Sequence, residues 1–252
     1  MKTINKDKLE VKIYDTRAEM GKAAAVDISD RIKKLLAEKD EINMIFAAAP
    51  SQNEVLEALV EDKTIPWERI RAFHMDEYVG IATDAPQGFA MFLKNAIFDK
   101  VPFKSVELIN CSAEPEGEAK RYSALLEKYP CDIVCMGIGE NGHIAFNDPH
   151  VADFNDSKLV KIVDLDDVCR MQQVHDGCFA TIDDVPKYAL TLTVPTLARA
   201  AYRFCVVPAP TKAVAVKNTV EGEIGEACPA TILRVRDGSV MYCDADSAAL
   251  LK

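Results

Sequence analysis

Cys131-Asp132-Ile133-Val134-Cys135-Met136-Gly137-Ile138-Gly139-Glu140-Asn141-Gly142-His143-Ile144-Ala145-Phe146-Asn147-Asp148-Pro149 runs from an apolar segment straight into a polar loop. The run 132–136 has the length and composition of a fully buried strand. The loop after it decides the fold. Gly137-x-Gly139-x-x-Gly142 has the glycine spacing of a dinucleotide-binding turn, with Asp164 downstream near the usual distance of about 20 residues. That reading requires a helix to start at once, so that its N-terminus meets a pyrophosphate. Pro149 and the polar residues around it leave no room for a long helix. The alternative is an active-site loop at the carboxyl end of a buried strand, where open α/β sheets place their ligands. Glycines such as Gly139 and Gly142 let the backbone turn sharply and approach a ligand. Asn141, His143 and Asp148 fall within the same loop. A histidine held by a carboxylate can move a proton near neutral pH.

Outward from this loop, strand and helix patterns alternate. Met20, Ala24, Ile28, Ile32 and Leu36 recur at helical spacing within 16–39. Strands are expected at 9–14, 44–49, 70–73, 106–109, 132–136, 159–163, 188–194, 202–207 and 239–243. Helices are expected at 16–39, 53–61, 88–98, 116–128, 166–174 and 211–220. Strands separated by helices of about 10–15 residues imply βαβ units and a mostly parallel sheet. No repeat or linker divides the chain, so one domain over 1–252 is expected.

Composition narrows the function. The chain has 252 residues, is 49% hydrophobic, and carries a formal net charge of −10. That field opposes nucleic acid and anionic membranes, so an anionic ligand needs a local cluster of donors. No stretch approaches the roughly 18 apolar residues of a membrane span, and the start at Met1-Lys2-Thr3-Ile4-Asn5 lacks a signal-peptide core. Eight cysteines are scattered without a Cys-x-x-Cys pair. They read as reduced thiols of a cytoplasmic protein. A zinc site from Cys131, Cys135 and His143 is the weaker reading.

A second polar segment, Phe73-His74-Met75-Asp76-Glu77-Tyr78-Val79-Gly80, also lies just beyond a strand. One of its adjacent carboxylates can serve as a general base, and either can cap a helix. Three segments together now resemble glucosamine-6-phosphate deaminase (isomerase), within a superfamily that also holds the 6-phosphogluconolactonases. They are 75–80, 137–147 and Val185-Pro186-Lys187-Tyr188-Ala189-Leu190-Thr191. The resemblance covers most of the chain in order. It implies a doubly wound, mostly parallel sheet flanked by helices, Rossmann-like, and a reaction without metal or cofactor. It implies that Asp76 shuttles a proton between C1 and C2 of an open-chain sugar phosphate. His143 then opens the pyranose ring, Asp148 stands where relatives carry Glu, and Lys212 matches a phosphate-binding lysine.

Three departures accompany the resemblance. Asn141 stands where the family carries Asp and lends the ring no charge, so Asp148 must supply more support. The shorter Asp148 retracts its carboxylate by one methylene. Ser51-Gln52-Asn53-Glu54 replaces a Thr-Gly-Gly-Thr phosphate loop and has the form of a capping box. Ser51, Gln52 and Asn53 are the candidate phosphate donors there. The family arginine has no match before Val185, and Arg170 is the nearest substitute. The sequence leaves two other readings open: a lactonase or other sugar-phosphate isomerase, and a non-catalytic sugar-phosphate sensor. It does not choose between glucosamine and galactosamine, nor between a monomer and a homo-oligomer.

Overall fold

The decisive run becomes β7 (Ile133–Met136), with all four residues buried. In the computed structural model, which describes residues 1–252, β7 sits inside an eight-stranded sheet. Beside it lie β3 (Ile42–Phe46) and β10 (Tyr202–Val207), both parallel to it. Beyond β3 come β4 (Ile70–His74) and β6 (Ser105–Glu107). Beyond β10 come β11 (Ser239–Cys243) and β2 (Leu9–Ile13), with β1 (Lys2–Lys6) antiparallel at the edge.

Successive residues of a strand face opposite sides, and the two sides carry separate cores. Ile133 and Cys135 join the helices α1 (Arg17–Glu38), α2 (Asn53–Glu61) and α3 (Phe89–Leu93). Val134 and Met136 join α4 (Pro115–Lys128), α6 (Val194–Ala198) and α7 (Ala213–Glu221). The sheet is therefore doubly wound, as the alternation predicts. α1 begins where Thr16 accepts the Glu19 N–H at 3.2 Å, a side-chain cap. No helix is long and apolar enough to cross a membrane.

Two segments depart from the simple alternation. Residues 159–163 and 188–194 do not enter the large sheet. They form β8 (Val160–Asp164) and β9 (Tyr188–Leu192), which pair antiparallel in a small second sheet. Its third strand is β5 (Asp76–Tyr78), only three residues long. The chain leaves β9 for α6 at Thr193, because Pro195 favours a helix start over a ladder. The expected helix over 88–98 divides into α3 and a π-turn at Lys94–Phe98.

The direction of chain progression reverses between β3 and β7. β3 leads outward to β4 and β6, whereas β7 lies beside β10. The loops after these neighbours diverge and open a crevice at the carboxyl ends of the strands. A cavity of about 420 Å³ occupies it.

Candidate active site

The cavity floor comes from three loops after β3, β4 and β7: Ala47 to Pro50, Met75 with Asp76, and Gly137 to Gly139. The β7 loop owes its shape to glycine. No helix begins between Gly137 and Asp156, which removes the dinucleotide reading. A Cβ on Gly139 would lie 2.2–2.4 Å from ring atoms of His143. Gly142 has φ +83°, and a Cβ there would meet Cys228 Sγ at 2.5 Å. Both positions therefore exclude side chains. Downstream, buried Asn147 donates to Ile144 O at 2.9 Å and Leu192 O at 2.8 Å. The Phe146 N–H donates to Thr191 Oγ1 at 3.1 Å. These bonds pin the loop to β9 and explain why two of the sequence segments work as a pair.

His143 lines the cavity, and its Nδ1 stands 2.8 Å from Asp148 Oδ1. The approach is off the axis of the ring N–H, so it is a close polar contact rather than a linear hydrogen bond. Asn141 Nδ2 donates to the same oxygen at 3.0 Å, and Asn141 Oδ1 accepts the His143 backbone N–H at 3.0 Å. Asn141 thus braces the carboxylate and the loop, not the ring. Burial pushes the Asp148 carboxyl up, but His143 and Asn141 outweigh it and hold the group below its ordinary range.

Asp76 faces the same cavity from the start of β5 and is 6% exposed. No hydrogen bond reaches its carboxylate. Burial first, and then the charge of Glu77, raises its pKa well above the ordinary value. Alternation along β5 sends Glu77 the other way. Glu77 accepts the N–H groups of Tyr78 at 3.0 Å, Phe89 at 3.1 Å and Ala90 at 2.8 Å, and so caps α3. Of the two adjacent carboxylates, one is free in the cavity and one is structural. His74, just upstream, is fully buried, and burial lowers its pKa to about 4. The Ile109 N–H donates to its Nε2 at 2.9 Å, which leaves the proton on Nδ1.

The loop after β3 departs from the capping-box expectation. No side chain caps α2, and Glu54 instead pairs with Arg17 Nε at 2.6 Å. Its charge is thereby neutralised on the far side of the helix. Gln52 is fully buried and donates to Ser51 Oγ at 3.1 Å and to Met136 O and Val206 O at 3.3 Å. It ties together the ends of β7 and β10. Ser51 Oγ lies beside Gly137, where a Cβ would meet it at 3.2 Å. Asn53 is exposed, and Ser51, Gln52 and Asn53 all lie outside the cavity lining, contrary to expectation. Arg170 does not line the cavity either, contrary to expectation. Its guanidinium donates to Ile182 O at 2.6 Å and Val185 O at 3.2 Å, bracing a loop. Cys131 donates to Ile133 O at the opposite end of β7, so Cys131, Cys135 and His143 do not converge.

Lys212 ends a 3₁₀ turn, Pro210–Lys212, and is 8% exposed. No carboxylate lies within ion-pair distance of its ammonium. Burial lowers its pKa despite the nearby charges of Asp176 and Glu140. It is not part of the cavity lining, but the charge of Asp176, which lines the cavity just after α5 (Asp167–His175), acts on it.

Sequence patterns do not mark that wall. Gln172, Gln173, Asp176, Gly177 and Cys178 line the cavity. Gln173 Oε1 accepts the Tyr78 hydroxyl at 2.9 Å, and Gln172 Oε1 accepts the Glu140 N–H at 3.0 Å. The only trace in the sequence is the pair of adjacent amides in a short amphipathic helix.

Comparison with known proteins fits this geometry. Residues 15–242 match the family described as glucosamine-6-phosphate isomerases/6-phosphogluconolactonase. A glucosamine-6-phosphate deaminase of Listeria innocua is 31% identical over 84% of this chain and 88% of its own. One from Exiguobacterium sibiricum is 30% identical over 87% of this chain and 85% of its own. Among solved structures, a monomeric glucosamine-6-phosphate deaminase superposes with a TM-score of 0.86 at 27% identity, covering 95% of this chain and 99% of that one. A 6-phosphogluconolactonase of Thermotoga maritima shares the fold, with a TM-score of 0.75 at 22% identity over 94% of this chain and 100% of its own. With the match spanning nearly its whole length, the chain belongs to the glucosamine-6-phosphate isomerase/6-phosphogluconolactonase family.

Proposed function

We propose that this protein is an amino-sugar-phosphate isomerase and deaminase that converts glucosamine 6-phosphate, or its galactosamine epimer, to the ketose 6-phosphate and ammonia. The observation that carries this reading is the placement of Asp76 and His143 on one cavity, the first unpaired and the second backed by Asp148. His143 protonates the ring oxygen and opens the pyranose. Asp76 then takes the C2 proton, which is too weakly acidic to leave unaided, and returns a proton to C1. C2 is left as an imine. Water adds to it, the C–N bond breaks, and ammonia leaves as C2 becomes the ketone. The two groups that move protons, Asp76 and His143, both face the cavity.

The buried, unpaired ammonium of Lys212 supports the binding of a dianionic group. Asn141 and Asp148 position His143, and Gly139 and Gly142 give the ring its space. A lactonase needs no base for a carbon acid, whereas a carbon acid needs one, and Asp76 offers a buried, unpaired carboxyl on the cavity. The test is a panel of 2-amino-2-deoxyhexose 6-phosphates and a 6-phosphogluconolactone, with ammonia release and lactone hydrolysis measured for each. Ammonia from an amino sugar supports the reading. Lactone hydrolysis without ammonia, or binding without turnover, contradicts it.

A further inference from the structure

His143, Asp148 and Cys169 offer a nitrogen, an oxygen and a sulfur ligand within 4.8 Å of one another. Two come from the β7 loop and the third from the first turn of α5. They are 8%, 0% and 0% exposed. Two of their atoms, His143 Nδ1 and Asp148 Oδ2, are buried without a well-aligned hydrogen bond, although Nδ1 stands 2.8 Å from Asp148 Oδ1 and the Cys169 thiol lies against the same carboxylate. A buried polar atom without a good partner is costly, and a cation held by both groups would relieve that cost. We propose that these three side chains form an inhibitory site for a thiophilic divalent cation of the zinc type.

The donor set selects the ion. Imidazole, carboxylate and thiolate suit Zn²⁺, whereas Mg²⁺ and Ca²⁺ require six or more oxygen ligands. Zinc bonds of about 2.0–2.3 Å require ligand atoms that now lie within 4.8 Å of one another to rearrange around the ion. The way in is through His143, the member that lines the cavity. In the metal-free protein, burial first and then the charge of Asp148 disfavour the Cys169 thiolate. A cation reverses this, so binding forms a metal–sulfur bond and releases the thiol proton to solvent. The ion also takes the nitrogen of His143 and the carboxylate that supports it, which removes the ring from proton transfer.

Binding does not depend on the proposed reaction, so its test needs no substrate. Co²⁺ is titrated into the full chain while the thiolate-to-cobalt charge-transfer absorption is followed. Excess Zn²⁺ then displaces it. The expected result is one ion per chain, about one proton released, a band lost in Cys169→Ser, and a band kept in Cys178→Ser. If Cys169→Ser does not fold, X-ray absorption of the zinc-loaded parent decides: one sulfur among nitrogen and oxygen ligands supports the site. No band, a band that survives Cys169→Ser, or two or more sulfurs around zinc overturns it. Where turnover is observed, micromolar Zn²⁺ inhibits the parent, and Cys169→Ser weakens that inhibition at least about tenfold.

Discussion

Asp76 has no hydrogen bond to compensate the burial of its charge. Its folded-state pKa is raised above the unfolded value, so the stability it contributes is fully present below the ordinary carboxylate range and is lost as pH rises through the raised value. The nearly isosteric Asp76→Asn carries no such penalty. Its Tm should match the parent in acid and exceed it at pH 7, as read by calorimetry across that range. A constant Tm difference would remove the burial argument. Asn141 gives the opposite case. Asn141→Asp deletes the donor at 3.0 Å from Asp148 and sets two carboxylates against each other. The expected loss at neutral pH is about 1–3 kcal/mol. Asp148 has a lowered folded pKa, so its contribution is present above the unfolded value and fades as pH falls. The Tm deficit of the variant should therefore be largest near pH 7 and shrink on acidification. Thus Asp at 141, which the family pattern favours, does not by itself restore support to this His143.

At the scale of elements, Glu77 connects chemistry to architecture. It holds the first N–H groups of α3, and α3 presents Phe89 to the cavity, with Phe92 also lining it. Glu77→Gln leaves fewer acceptors for the same donors. Thermal unfolding should show a loss of about 1–3 kcal/mol. Kinetics should show a larger rise in KM than fall in kcat, because α3 shapes the cavity and does not touch the proton. The reverse split would make Glu77 part of the chemistry. The βαβ alternation is legible in the sequence because helical and strand periods are local signals: 53–61 and 202–207 are found as read. The second sheet is not, since β5 is three residues long and the partner of a strand is a tertiary choice. The same holds for the site. The loop carrying His143 declares itself by its glycines, and Asp76 by its segment. Arg170 cannot be placed from sequence, because the direction of a side chain on α5 depends on where the helix docks. Gln172 and Gln173 escape a sequence reading for the same reason.

For the whole molecule, a net charge of −10 means that an anionic substrate must be captured locally. On the proposed reading, Lys212 is the cation that does so. Its folded pKa is lowered because burial disfavours the ammonium, and an anion beside it would offset that burial. Lys212→Met should raise the ligand-free Tm. It should also reduce the Tm rise given by a sugar phosphate, which at a hundredfold excess over Kd corresponds to about 2.7 kcal/mol in the parent. An undiminished rise would place the phosphate elsewhere. The central claim is that Asp76 moves a proton on an amino sugar phosphate. It is tested most directly by supplying glucosamine 6-phosphate to the parent and to Asp76→Asn and measuring ammonia and ketose phosphate together. The predicted result is equal amounts of the two products from the parent and a rate lower by about 10²–10⁴-fold in the variant. Ammonia release that persists undiminished in Asp76→Asn, or is absent from the parent, would contradict it.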